Sequence, residues 1–211
     1  MTGVLIVDDQ KLVRAGLRML CESARDVEVL GEAANGVEAV AQSAELDPDV
    51  ILMDLRMPGL DGIGATEQIV RSGRRCRILV LTTFDDDDHL YPALAAGASG
   101  FLVKDTDPAE LLDAIHRVAE GEMVFSPQLL QRVVQRAVVS GRADARVAAP
   151  VPLTARESEV LALVADGLSN AEIAARLHLS VTTVKTHVAS LMSKTGYDNR
   201  VRLAIFFWRS R

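Results

Sequence analysis

The sequence predicts an α/β fold, a five-stranded doubly wound parallel sheet, joined by a flexible linker to an all-α unit of four helices. In the first part of the chain, short apolar runs alternate with amphipathic stretches, the pattern of strand–helix units around a parallel sheet. From residue 153 onward the chain instead contains short helices with explicit start signals. We therefore expect one domain over residues 1–121, a linker over 122–152 and a second domain over 153–211.

Five buried runs are the strand candidates of the first domain. Each is short and apolar, like strands that are covered on both faces of a parallel sheet. They span residues 4–7, 27–33, 50–53, 76–81 and 100–103. The amphipathic stretches that follow them predict helices over 11–22, 36–44, 61–72, 86–96 and 107–120.

The linker region divides into two parts. Residues 126–139 predict a further helix that begins at Ser126 and Pro127. Residues 140–152 contain the small residues and prolines of a mobile segment. We therefore expect a flexible connection between the two domains.

The second domain carries clear helix start signals. The sequences TARE, beginning at Thr154, and SNAE, beginning at Ser169, are capping boxes that precede apolar periodic runs. Ser180 can cap a third helix, and residues 199–209 predict a fourth. Only the residues HLS separate the second helix from the third, a spacing that is typical of a helix-turn-helix domain.

The net charge of −6 conceals opposite charges in the two parts of the chain. Residues 1–125 contain 23 acidic and 11 basic side chains, whereas residues 126–211 contain 6 acidic and 12 basic ones. The basic part indicates a polyanionic partner, although many solvated helices are basic as well. No apolar run approaches the ~18 residues of a membrane helix, and the start of the chain lacks the basic segment of a secretory signal. We expect a cytoplasmic protein that does not enter the membrane.

Three carboxylates come directly after predicted strands. Asp8 and Asp9 follow the first strand, and Asp54 follows the third. Ligands of open α/β sheets bind beyond the carboxyl ends of the strands, and these two strands are neighbours in a doubly wound sheet. Because clustered carboxylates repel one another, a hard divalent cation with a preference for oxygen ligands relieves the cost of their proximity. The pattern predicts a Mg²⁺ site.

The same edge of the sheet carries a hydroxyl and a cation. Thr82 ends the fourth strand and Lys104 ends the fifth. With a metal ion and with Asp54 as nucleophile, they form a set of ligands for phosphoryl oxygens. Each residue also has an ordinary explanation, as a helix cap, a strand-edge hydroxyl or a solvated lysine. Together, the residues at these strand ends favour a phosphoryl-transfer site.

Residues 1–121 resemble the receiver domain of bacterial two-component response regulators. The motifs VDD, DLRMPGLDG, LTTF and GASGFLVKD carry the resemblance, in this order and spacing. It implies that Asp54 accepts a phosphoryl group from the phosphohistidine of a sensor histidine kinase. It also implies that Asp9 ligates Mg²⁺ directly, that Asp8 does so largely through water, and that the backbone carbonyl of Arg56 is a further ligand.

The same resemblance assigns a signalling role to three further residues. It implies that Thr82 and Lys104 hold the phosphoryl oxygens. Phe101 matches the aromatic switch position of the family, which turns inward when Thr82 moves toward the phosphate.

Residues 153–211 resemble the LuxR-type helix-turn-helix of NarL/FixJ-class regulators, through the sequences SNAEIA and TVKTHV. In the third helix, Val184, Val188 and Leu191 share one face, so small polar side chains and one lysine lie opposite. The candidate DNA-binding residues are Thr182, Thr183, Lys185, Thr186, Ala189 and Ser190, and Ser193 lies on the same face. Such side chains suit a major groove, but they also suit an ordinary solvated helix face.

The last predicted helix contains more large apolar residues than one face can bury. Part of it is expected to close the small helical core, and the surplus indicates an interface. The resemblance implies that this helix pairs two DNA-binding domains on two half-sites. Val201, Ile205 and Phe206 are the candidate dimerisation residues.

The leading hypothesis is a phosphorylation-controlled, DNA-binding transcriptional regulator that uses Mg²⁺, dimerises when active and is not a turnover enzyme. Two alternatives stay open. A phosphohydrolase on the same fold is disfavoured because the sequence shows no second acid or base suited to turnover beside Asp54. A regulator that is never phosphorylated is disfavoured because the set of acidic residues is complete.

Overall fold

The computed structural model describes residues 1–82, 87–125, 152–197 and 200–209. The chain divides into two compact units, Met1–Val124 and Phe125–Arg211. The predicted linker helix and nearly all of the flexible linker lie outside the described residues, so the predicted linker and domain limits stay predictions. Among the described helices, none is long and apolar enough to cross a bilayer.

The first unit contains five strands and the first residue of a sixth, in a sheet with the strand order β2-β1-β3-β4-β5-β6. The strands are β1 Thr2–Val7, β2 Val27–Ala33, β3 Val50–Asp54, β4 Arg77–Thr82, β5 Gly100–Val103 and β6 Val124–Phe125. All pairings from β2 through β5 are parallel, which confirms the predicted sheet. The sequence predicts one strand fewer, because the two residues of β6 are too few to show a periodic pattern.

Helices follow each of the first five strands. They are α1 Lys11–Ser23, α2 Gly36–Leu46, α3 Gly62–Arg71, α4 Asp87–Ala95 and α5 Pro108–Ala119. The side chains of Asn35, Asp61 and Asp107 accept a backbone hydrogen bond at the starts of α2, α3 and α5, which defines where these helices begin. Both β1 and β3 are almost completely buried, so the core fixes the positions of their carboxyl ends.

The second unit contains the helices α6 Ala155–Ala165, α7 Asn170–Leu177, α8 Val181–Thr195 and α9 Arg200–Arg209. Both predicted capping boxes are present, at Thr154 and at Ser169. His178 adopts the left-handed conformation, with φ of 54°, and ends α7 three residues before α8 begins. The helix-turn-helix is therefore confirmed, and its apolar core includes Val160, Val164, Ile173, Val184, Leu191 and Leu203.

Candidate functional site

Three carboxylates lie together beyond the carboxyl ends of β1 and β3. One oxygen of each of Asp8, Asp9 and Asp54 lies within 4.8 Å of the others. Asp8 is 1% exposed and Asp54 is 4% exposed, whereas Asp9 is accessible to solvent. They meet because β1 and β3 are neighbours in the sheet. A cluster of oxygen ligands without nitrogen or sulfur suits Mg²⁺, so the residues fit the predicted cation.

Lys104, at the end of β5, reaches this cluster from the other side of β4. Its Nζ lies 2.7 Å from Oδ2 of Asp8 and 3.1 Å from Oδ1 of Asp54. Burial raises the pKa of the Asp54 carboxyl, and the Lys104 ammonium offsets only part of this effect. Burial acts to lower the pKa of Lys104, but its contacts with Asp8 and Asp54 raise that pKa overall. One ammonium therefore serves two buried carboxylates.

Asp8 is held by contacts that no local sequence pattern predicts. The backbone N–H of Gln10 donates to its Oδ1 at 2.8 Å. Nη1 of Arg14, on α1, donates to its backbone carbonyl at 2.7 Å, and Nε of the same residue lies 3.2 Å from Oε2 of Glu32 on β2. The guanidinium thus links the end of β1 to β2. No sequence pattern indicates this contact of Arg14, because the contact depends on how α1 packs on the sheet.

Thr82 and Phe101, the two predicted switch residues, are both buried. Thr82 is 3% exposed, and Phe101 on β5 is fully buried. Across β3 and β4, Asp54 pairs with Leu81, which immediately precedes Thr82. The structure therefore brings Thr82 to the same sheet edge as Asp54. The backbone N–H of Arg56 donates to the Asp54 carboxylate, while the Arg56 side chain is exposed.

Gly62 allows α3 to begin directly against the strand that carries Asp54. A Cβ atom at this position would lie 2.0 Å from the carbonyl oxygen of Asp54 and 2.8 Å from Cα of Leu55. The backbone N–H of Gly62 donates to the carbonyl of Leu55 at 3.0 Å. This close approach fixes the position of the segment that follows Asp54. The sequence alone does not distinguish Gly62 from an ordinary turn glycine.

In the second unit, α8 has one buried face and one accessible face. Val184, Val188 and Leu191 are buried, as predicted. Three of the predicted DNA-binding residues are exposed, and three are half-buried. The exposed ones are Thr182, Thr186 and Ala189, and the half-buried ones are Thr183, Lys185 and Ser190. Ser193 is also exposed.

Glu157 fastens α8 to the start of α6. Its carboxylate accepts hydrogen bonds from the backbone N–H of Thr154 at 2.8 Å, from Oγ of Ser190 at 2.8 Å and from Nζ of Lys194 at 2.7 Å. The Lys194 ammonium, with help from Thr154 and Ser190, lowers the pKa of Glu157 to about 2. The capping box predicts the bond to Thr154 but not the bonds to α8.

Helix α9 closes the core of the second unit. Leu203 and Ala204 are fully buried. The ring of Phe206 contacts that of Tyr197, with centroids 5.8 Å apart and planes tilted by 54°. The side chains of Val201 and Ile205 lie outside the described part of the structure, so the predicted dimerisation residues stay a prediction.

Comparisons with known proteins match both units. The family model described as the response regulator receiver domain matches residues 4–116, and the model described as bacterial regulatory proteins of the luxR family matches residues 151–207. The chain belongs to the LuxR-type response regulators. It is 43% identical over 210 residues to the transcriptional regulatory protein LiaR of Bacillus subtilis (strain 168), covering 100% of this chain and 98% of LiaR.

Solved structures of response regulators resemble the chain over its length. The response regulator ChrA of a heme-sensing two-component system is 36% identical, with a TM-score of 0.56, covering 99% of this chain and 96% of ChrA. A structure of two RcsB dimers bound to two parallel DNAs is 27% identical, with a TM-score of 0.58, covering 99% of this chain and 98% of RcsB. This LuxR-type response regulator is a phosphorylation-controlled, DNA-binding transcriptional regulator.

Proposed function

We propose that Asp54 is the phosphoryl acceptor and that the donor is the phosphohistidine of a sensor histidine kinase. The observation that carries this proposal is the buried Asp54 carboxylate, 3.1 Å from the Lys104 ammonium and grouped with Asp8 and Asp9. One Asp54 oxygen attacks the phosphorus, the bond from phosphorus to the imidazole nitrogen breaks, and its electron pair returns to the imidazole. The product is an acyl phosphate on Asp54.

The cation ligands of this pocket are proposed to be Asp54, Asp9, Asp8 and the backbone carbonyl of Arg56. Bound Mg²⁺ supplies positive charge that offsets the charge of the phosphoryl oxygens. Asp9 is exposed and therefore open to direct ligation. The Asp8 carboxylate is already engaged by Lys104 and by the Gln10 backbone, which favours a contact through water.

Thr82 and Lys104 are proposed to hold the oxygens of the transferred phosphoryl group. Lys104 already contacts Asp54, so it lies beside the group when transfer is complete. Thr82 and Phe101 are both buried on adjacent strands, so a shift of the Thr82 hydroxyl toward the phosphate disturbs the packing around Phe101. This coupling is the proposed switch, which shifts the population of the receiver toward its active form.

The second unit is proposed to bind double-stranded DNA with α8 in the major groove. The contacting residues are proposed to be Thr182, Thr183, Lys185, Thr186, Ala189 and Ser190. A homodimer, paired through Val201, Ile205 and Phe206, would present two such helices to a site with two-fold symmetry. The solved complex of RcsB dimers with DNA supports this arrangement. DNA as a proposed partner supports a proposed location in the cytoplasm.

Asp54 would itself be modified by the reaction, and the regulator is therefore proposed to accept one phosphoryl group per signal rather than to turn over a substrate. The test is to incubate the full-length protein with Mg²⁺ and a small phosphoryl donor, then to map the modified peptide by mass spectrometry. The expected label lies on Asp54 alone, and Asp54→Asn abolishes it because an amide is a poor nucleophile.

Asp113→Asn is the matched control, since Asp113 is an exposed carboxylate of α5 that pairs with Arg117. This variant is expected to take up phosphate like the unaltered protein. Equal labelling of the Asp54→Asn protein would contradict the assignment of the pocket.

A further inference from the structure

Helix α8 exposes a strip of small side chains. Thr182, Thr186 and Ala189 are all exposed, and their spacing places them on one face of the helix. Ala189 offers only a methyl group to a ligand. Val181, in the first position of the helix, is also 39% exposed.

Several hydroxyl groups of this helix already form hydrogen bonds within the unit. Oγ1 of Thr186 donates to the backbone carbonyl of Thr182 at 3.0 Å. Oγ of Ser190 donates to Glu157 at 2.8 Å. Oγ of Ser180 and Oγ1 of Thr183 lie 2.8 Å apart and share one hydrogen bond. A hydroxyl carries a single O–H donor, so Thr186 and Ser190 have none left for a base edge.

The groups that remain at Thr186 and Ala189 are therefore methyl groups and one acceptor oxygen. Guanine presents two acceptors in the major groove and is read by donors, usually from arginine or lysine. Thymine is the base that presents a methyl group there, and alanine and the threonine methyl are side-chain groups that contact it.

We infer that Ala189 and Thr186 read thymine C5-methyl groups in the operator. This inference rests on the proposed function, because it requires α8 to lie in the major groove. It goes further by naming the chemical group that the helix recognises. The expected operator half-site has thymines where Thr186 and Ala189 face the bases, and removal of those methyl groups weakens binding.

The test uses duplexes selected from a random library by the full-length, phosphorylated protein. The selected duplex is then synthesised with deoxyuridine in place of one thymidine at a time, a change that removes only the C5-methyl group. Burial of one such group contributes enough free energy that each contacted thymine should show a loss of about fourfold in affinity. Thymines outside the half-sites should show no change.

The Thr186→Ser variant tests whether the methyl group of Thr186 makes one of these contacts, since the variant keeps the hydroxyl and loses one methyl group. This variant should bind the thymine duplex about fourfold more weakly than the unaltered protein does. It should lose no further affinity when the thymine that Thr186 contacts is replaced by deoxyuridine. Thr195→Ser is the matched control. Thr195 also lies on α8, and its Oγ1 also donates four residues back, to Leu191 at 2.7 Å. This control should bind both duplexes like the unaltered protein.

Two results would overturn the inference. One is an affinity that is unchanged by deoxyuridine at every thymine of both half-sites. The other is a Thr186→Ser variant that binds every duplex, with thymine or with deoxyuridine, more weakly than the unaltered protein by the same factor. Either result leaves the proposed function intact, because the selected duplex is still bound. A library from which the phosphorylated protein enriches no duplex would instead contradict the proposed function itself.

Discussion

Two buried carboxylates, one in each unit, show how differently the protein uses buried charge. The Asp54 side chain is 6% exposed and that of Glu157 is 5% exposed. Yet burial raises the pKa of Asp54, whereas the Lys194 ammonium and neighbouring donors lower that of Glu157 to about 2. Low solvent exposure alone therefore does not set the direction of the pKa shift, since desolvation is the largest influence on the pKa of Asp54 and a minor one on that of Glu157.

The partners of each carboxylate also contribute to this difference. Asp54 shares the Lys104 ammonium with Asp8, so negative charge is in excess in the receiver pocket. Glu157 has Lys194 and further hydrogen-bond donors to itself, so its charge is fully compensated. The first arrangement has unbalanced negative charge that suits a bound cation, whereas the second fixes α8 in place. Excess charge thus marks the proposed phosphorylation site, and compensated charge marks a structural link.

The largest stability change is expected where the excess charge is greatest. Lys104→Met leaves Asp8 and Asp54 buried together without a cation, which should destabilise the first unit by roughly 3 kcal/mol in the absence of Mg²⁺. The same change should tighten Mg²⁺ binding, because the ion then has no competing ammonium. Hydrogen exchange of the β1 and β3 amides in the full-length protein measures the first effect, and titration calorimetry measures the second.

The control for Lys104 is Lys11→Met, which removes an exposed lysine of α1 and should change stability by less than about 0.5 kcal/mol. Weaker Mg²⁺ binding by the Lys104→Met protein would refute the idea that the pocket carries excess negative charge.

A smaller effect, with a distinct pH dependence, is expected at Glu157. Its pKa is about 2 in the folded unit against an ordinary value of 4.5, so the folded state binds fewer protons than the unfolded state between these values. The stabilisation is therefore complete above pH 4.5 and is lost as the pH falls toward 2. The Glu157→Gln variant lacks this stabilisation. Its free energy of unfolding should therefore be lower than that of the unaltered protein at neutral pH, and the difference should shrink as the pH falls from 4.5 toward 2.

Glu172→Gln is the matched control, because Glu172 holds the equivalent position in the capping box of α7. Denaturant unfolding of the full-length proteins, followed by the fluorescence of the single tryptophan, Trp208 on α9, reports the second unit. A deficit for Glu157→Gln that stays constant from pH 7 to below pH 3 would argue against the compensated ion pair.

The acidic pocket could be predicted from the sequence because its residues follow buried strands. The periodic pattern of the sequence predicts parallel strands, and parallel strands end at the same edge of a sheet. Asp8 and Asp54 are therefore expected to lie close together. The contact of Arg14 with the Asp8 carbonyl and the fit of Gly62 against Asp54 depend on distances between packed elements, which periodicity does not contain.

The second unit shows the same division between local and non-local information. Both capping boxes are local patterns within four residues, and the sequence predicts them correctly. The bonds from Glu157 to Ser190 and Lys194 join residues 33 and 37 positions apart. No local rule predicts that pairing, although the accessible face of α8 follows from its apolar spacing.

The central claim is that phosphorylation of Asp54 controls DNA binding by α8, and DNA affinity before and after phosphorylation tests it most directly. The full-length protein and its Asp54→Asn variant are compared on one selected duplex, with Mg²⁺ and with or without a phosphoryl donor. The donor should raise the affinity of the unaltered protein by at least about fivefold and leave that of the variant unchanged. An equal rise in both proteins, or no rise in a protein shown to carry the phosphoryl group on Asp54, would contradict the account.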